Sequence, residues 1–213
     1  MASLLQKIPQ NSAIVIISPP LEGKEELVYD YIRDKLKEKE PILIISTDKS
    51  AETVKAELLK RKIFFGDAET RGLLVFVDCY SMQVGEAVKN TPGIKRVPGP
   101  LALNEISVAL SDIEKEFIRK NPKHIVIFDS LSTLLMYSNT QAIGRFAQVM
   151  IAKIKKAGGS AFFTLEEGMH APDVLVAMEH LMDDIIFVKR EAGKLLVKAK
   201  GMAGFEDWSK FEA

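Results

Sequence analysis

The sequence has a single cysteine, Cys79, among 213 residues. An internal disulfide is thereby excluded, which fits a reducing compartment. Histidine is scarce as well: His124, His170 and His180 share no ligand spacing with one another or with Cys79, so no metal site is read from them. Neither sign of charge dominates, with 29 Lys and Arg against 29 Asp and Glu. That balance gives no global pull towards nucleic acid or an anionic membrane. No apolar run reaches the length of a membrane span, and MASLLQKIPQ lacks the apolar core of a signal peptide. A cytoplasmic protein without a membrane partner is expected.

What is present is apolar sequence in short, regular blocks. Hydrophobic residues make up 47% of the chain, enough to bury one substantial core, and one domain over residues 1–213 is expected. The stretch Ala13–Ser18 is apolar on both faces, as a central parallel strand should be. A helix to about Lys39, a strand Ile42–Ser46, a helix Ala51–Arg61 behind an N-cap at Ser50 and a strand Leu73–Asp78 follow. Residues 79–100, with Pro92, Gly93, Pro98, Gly99 and Pro100, lack periodicity and read as a long loop.

Beyond it come a helix Leu101–Arg119, a strand Ile125–Phe128, and a helix around Ala142–Lys156 that ends at Gly158-Gly159. A strand Ala161–Thr164, a helix Pro172–Leu181 and a strand Ile185–Lys189 continue the alternation. The turn Glu191-Ala192-Gly193 predicts a hairpin into Leu195–Lys198, and a tail carries Phe205, Trp208 and Phe211 to dock on the core. Met169, Met178 and Met182 are expected to fill core gaps, and Lys153, Lys155 and Lys156 to form a solvated helix end. The whole predicts an α/β fold: a mostly parallel, doubly wound sheet with an antiparallel C-terminal edge hairpin.

Ligands in such sheets bind beyond the carboxyl ends of the strands. The first of those ends, Ser18-Pro19-Pro20-Leu21-Glu22-Gly23-Lys24-Glu25, has the spacing of the phosphate-binding pattern G-x-x-x-x-G-K-[ST]. Gly23 and Lys24 match. Ser18 stands for the first Gly, and Glu25 for the hydroxyl that ligates Mg²⁺. Pro19 and Pro20 have no N–H to offer a phosphate. A carboxylate at position 25 repels one. The alternative is a helix with an ordinary acidic first turn and a solvated Lys24.

Three further strand ends bring candidates to the same rim. Asp129 follows HIVIF in the form of a Walker B carboxylate, or else caps the turn Ser130-Leu131-Ser132. Asp48 ends the second strand, where it can polarise water or form an Asx turn before Ser50. Glu166 ends the fifth, beside Glu167.

Taken together these residues resemble the KaiC-like branch of the RecA superfamily of P-loop ATPases, which includes archaeal RadA paralogues and the archaellum ATPase ArlH. The resemblance runs from Lys7 to Gly201. Lys7-Ile8-Pro9-Gln10-Asn11-Ser12 echoes the family's G-[LIV]-P-x-G-S without its glycines. Thr47-Asp48 stands at its acidic pair, and Asp129-Ser130-Leu131-Ser132 keeps its D-S-[LI]-S. Thr164-Leu165-Glu166 and Asp183-Asp184-Ile185-Ile186 match its T-x-E and D-x-[IV]-I. Lys198-Ala199-Lys200-Gly201 replaces its K-x-R-G, so Lys200 lacks the planar fork of an arginine.

The resemblance implies a three-layer RecA-like fold and a homo-oligomer or a RecA-fold partner. In an active member Ser18, Gly23, Lys24 and Glu25 would surround the phosphates of ATP. Asp129, with Ser130 beside it, would order Mg²⁺. Asp48 and Glu166 would be catalytic, and Lys198 and Lys200 would reach the next subunit's nucleotide. Because the P-loop departs from the pattern, the expectation is a degenerate site on a non-catalytic binding or regulatory module. The alternatives are a divergent ATPase with ATP and Mg²⁺ as its cofactors, and a recombination-linked paralogue, for which a neutral chain is unfavourable.

Overall fold

All six residues of β1 (Ala13–Ser18) are buried between two parallel neighbouring strands. The run AIVIIS has no face to offer water, so it can sit only in a sheet covered on both sides. The computed structural model describes residues 4–86 and 88–211. Among them nine strands form one sheet: β1, β2 (Ile42–Ser46), β3 (Leu74–Asp78), β4 (Ile94–Arg96), β5 (Ile125–Asp129), β6 (Ser160–Glu166), β7 (Asp184–Glu191), β8 (Lys194–Lys200) and β9 (Ser209–Lys210). Their order is β4-β3-β2-β5-β6-β1-β7-β8-β9. Strands β1 to β7 run parallel, and β8 and β9 add an antiparallel edge.

Helices α1 (Lys24–Lys37), α2 (Ala51–Lys60), α3 (Gly66–Thr70), α4 (Leu103–Lys120), α5 (Leu131–Tyr137), α6 (Thr140–Lys156) and α7 (Pro172–Glu179) cover the sheet. Alternation along β1 decides which helix each side chain meets. Ile14 and Ile16 share one core with Leu27, Tyr31 and Ile32 of α1. Val15 and Ile17 share the other with Ile143 and Met150 of α6. Each such buried Ile or Val contributes about 1.5–3 kcal/mol, so the two apolar faces of this strand tie both helix layers to it. Ser50 caps α2 as expected, accepting from Thr53 N at 3.1 Å.

Several segments differ from the sequence reading. Residues 79–100 are not loop throughout, because Ile94–Arg96 forms β4 alongside β3, with Ile94 opposite Phe76. Three residues carry no detectable period, and only the exposed flank of β3 makes them a strand. Helices α3 and α5 and strand β9 were likewise not expected. Ser130, not Asp129, caps α5, its hydroxyl accepting from Thr133 N at 3.4 Å. Of the three methionines assigned to core gaps, Met178 is buried, whereas Met169 is 40% exposed. Nor are the lysines at the end of α6 simply solvated: Lys153 donates to Ser107 Oγ at 2.7 Å and Lys155 pairs with Asp183 at 2.8 Å. In the tail Phe211 is buried and Phe205 packs on the core, while Trp208 stays 41% exposed. The first three residues of the lead-in, Ala87 of the loop and the last two residues of the tail lie outside the described residues. Among the described residues no helix is long and apolar enough to cross a membrane.

Candidate functional site

Register carries the candidate residues to one rim. Ser18 of β1 lies opposite Glu166 of β6, and Ser46 of β2 lies opposite Asp129 of β5. Since β2, β5, β6 and β1 are consecutive in the sheet, Asp48, Asp129, Thr164, Glu166, Ser18 and Lys24 collect along its carboxyl edge. Parallel strands end together, so four segments far apart in sequence deliver their polar ends to one line.

Lys24 opens α1 and is 4% exposed. Its ammonium is not solvated, as one reading of the sequence had it, but donates to Glu166 Oε1 at 2.9 Å. A buried lysine needs such a partner, because an isolated charge out of water is costly. The Asp129 carboxylate accepts from Thr164 Oγ1 at 2.5 Å. Thr47 bolts β2 to the start of α5: its hydroxyl accepts from Ser130 N at 2.8 Å, and its own N–H donates to Asp129 O at 2.8 Å. Ser130 is buried, and the Asp129–Ser130 peptide bond is cis. Glu166 N receives a further bond, donating to Ser132 Oγ at 2.8 Å. The rim is therefore a cross-linked polar network rather than four loose ends.

Burial and a neighbouring charge both act on Asp48. Its side chain reaches water, yet desolvation by the surrounding rim, and then the Asp129 charge, push its carboxyl from 3.8 up to about 6. Lys49 beside it moves upward too: burial works against its charge, but Asp129, Glu57 and Asp48 outweigh that. Burial, and a hydrogen bond from its hydroxyl to Glu57, push Tyr29 far up.

The loop from Ser18 to Lys24 is held from outside by the β7–β8 hairpin. Arg190 N donates to Glu22 Oε2 and Arg190 Nη2 to Glu26 Oε2, each at 2.6 Å. Gly23 has φ +98°, and a Cβ there would come within 2.6 Å of Leu195 Cδ1. Glycine is required twice over, by conformation and by space. Ser18 Oγ turns back to Pro19 O at 3.0 Å. Beside the loop opens a cleft of about 470 Å³, into which Glu25, Tyr29, Lys49 and Arg61 project with Arg190. The anchoring role of Arg190 was missed from sequence, and no local signal marks a contact 164 residues away.

Lys198 and Lys200 are not brought to this rim. They lie on β8 as it runs away from the hairpin, and Lys200 pairs with Glu179 at 3.1 Å. Of the late acidic pair, Asp183 accepts from Ala13 N at 2.7 Å and from Lys155, which fixes the start of β1. His124 Nε2 lies 3.2 Å from Glu114 Oε1, a buried pair far from the rim. Among the described residues no group of three or more His, Cys, Asp or Glu is placed to hold a metal ion.

This arrangement can be set beside known proteins. The model of a family of unknown function, DUF7504, matches residues 12–188, which include every rim residue named above. The chain belongs to that family. It is also 25% identical over 185 residues to a UPF0273 protein of Aeropyrum pernix, covering 84% of this chain and 70% of that one. Among solved structures, an uncharacterized protein from Pyrococcus horikoshii, crystallised in complex with an unknown peptide, superposes with a TM-score of 0.74 at 16% identity, covering 99% of this chain and 96% of that one. A KaiC-like protein from the same organism gives 0.68 at 15% identity, covering 95% and 85%. The flagellar accessory protein FlaH of Methanocaldococcus jannaschii gives 0.57 at 16% identity, covering 91% and 78%. The fold is thus RecA-like, of the KaiC and FlaH type.

Proposed function

We propose that the protein is a non-catalytic binding or regulatory module on a KaiC-like scaffold, and that its P-loop no longer serves Mg-nucleotide. The observation that carries this reading is the ion pair between Lys24 and Glu166, which occupies the cation that would meet a phosphate. Two sequence features and one structural one support it. Pro19 and Pro20 offer no N–H, Glu25 places a carboxylate where a metal-ligating hydroxyl would stand, and that carboxylate lines the adjoining cleft. The residues present do not fit MgATP. The Pyrococcus horikoshii relative with its unknown peptide supports binding of polypeptide as the function such a scaffold can retain. Assembly with another RecA-fold subunit, through the edge that carries Lys198 and Lys200, belongs to the same proposal.

Thermal unfolding with MgATP tests it. A ligand at a hundred times its dissociation constant adds about 2.7 kcal/mol to stability. The wild-type midpoint is expected not to move, and the double variant Glu25→Thr, Glu166→Gln to gain a shift. A clear wild-type shift that Lys24→Ala abolishes would sink the reading.

One observation favours a second reading, a divergent ATPase. Asp48, Asp129 and Lys24 do converge on one rim, and Asp48 has its carboxyl raised into the range of a general base. Phosphate release from ATP that depends on both Asp48 and Lys24 would establish it.

A further inference from the structure

Lined by none of the rim residues, an open groove of about 470 Å³ lies between the N-terminal halves of helices α4 and α6. Its lining is amphipathic. Leu103 of α4 and Phe146 and Val149 of α6 supply apolar surface, while Asn104 and Gln141 supply amides. Arg145 is the one charged residue of that lining, and among the described residues it has no ion-pair partner. Helix α6 contains no acidic residue at all. Lys153, the next cation along it, donates to Ser107 and Ser111 at 2.7 and 3.2 Å. Val149 remains 45% exposed, and Val108, one turn along α4 from Asn104, 58%. The apolar strip therefore continues out of the groove along the helix surface.

We infer that this groove is a docking site for an acidic peptide segment of a protein partner. Each feature selects for that ligand. A cation without an ion-pair partner, in a lining that holds no carboxylate, calls for a negative group. Amides that both donate and accept match the N–H and C=O of a polypeptide backbone. An apolar strip longer than the groove suits a chain with spaced apolar side chains, as helix and strand ligands carry them. Nucleic acid fits worse, because tracking its backbone takes a row of cations and the groove has one. The inference extends the binding-module reading to a surface and a ligand class without depending on the P-loop. A thermal shift with MgATP would overturn that reading and leave this one standing.

A random peptide library displayed on phage, selected on the intact chain, tests it. The exposed-site variants Arg145→Glu and Val149→Glu serve as counter-selections, and their far-ultraviolet circular dichroism melts report that the fold is kept. Recovered peptides are expected to place Asp or Glu beside apolar residues. As labelled synthetic peptides they should lose at least about tenfold in affinity to Arg145→Glu, and comparably when their acidic residues become Gln or Asn. Val149→Glu should weaken them too. No enrichment, peptides indifferent to Arg145, or a single-stranded oligonucleotide that binds the groove in their place would each overturn the inference.

Discussion

Lys24 Nζ and Glu166 Oε1 meet at 2.9 Å, joining the first residue of α1 to the last of β6 across 142 positions of sequence. The lysine side chain is 5% exposed and the glutamate 24%. The pair closes the gap between two neighbouring strand ends and gives the buried ammonium its partner. It is also the contact that any phosphate bound by the loop would have to displace.

Glu166→Gln is expected to destabilise the fold. It leaves a desolvated ammonium with only a neutral acceptor, and breaking a wholly buried pair would cost about 3–5 kcal/mol. Solvent reaches Glu166, so about 1–3 kcal/mol is the expected loss. Urea denaturation at neutral pH measures it. An unchanged midpoint with an unchanged slope would mean that Lys24 has another acceptor.

Replacing Gly23 separates steric from conformational cost. Gly23→Ala meets both a positive φ and Leu195 Cδ1 at 2.6 Å, whereas Gly193→Ala has φ +75° and open space around it. Strain at such a backbone costs about 1–3 kcal/mol. Gly23→Ala should therefore lose more stability than Gly193→Ala, since the Leu195 side chain must give way to admit the methyl. Equal losses in chemical denaturation would show that the hairpin is not pressed against the loop.

Arg190→Ala should loosen the loop while barely touching global stability. The Arg190–Glu26 pair is more than a third exposed on both sides, 38% and 37%, and exposed pairs are worth about 0–1 kcal/mol. Faster amide exchange at Leu21 and Glu22, with a near-constant melting temperature, is the expected pattern. Unaltered exchange would place the anchor elsewhere.

Asp48 sets a pH dependence of definite sign. Its carboxyl is raised from 3.8 to about 6 in the folded protein, so between those values the folded chain holds more protons than the unfolded one. Stability from this group then falls as pH rises through that window. Asp48→Asn should leave stability nearly unchanged below pH about 4 and raise it above pH about 6. Denaturant midpoints on either side of the window decide the matter, and a variant weaker than wild type at neutral pH would contradict the sign.

Much of this was legible in the chain itself, for a reason visible in particular residues. Ala13–Ser18, Ile42–Ser46 and Ile125–Asp129 are short enough, and apolar enough on both faces, that no other element suits them. The turn Ala192-Gly193 could be placed because both residues take positive φ, +49° and +75°, which few dipeptides tolerate. The rim followed from the strands, since parallel strands end at one edge. By contrast Ile94–Arg96 and Ser209–Lys210 are strands only because β3 and β8 have open flanks beside them.

By itself, then, the sequence determined the class of fold and the side of the sheet on which its polar residues gather, because burial period and turn chemistry are local properties. Tertiary structure alone decided that Lys24 is paired with Glu166, that Arg190 clasps the loop and that Arg145 lines a groove with no ion-pair partner among the described residues. Those are facts about which charges come within a few ångströms of one another. Such distances depend on the packing of segments far apart in the chain, and no short window of it contains them.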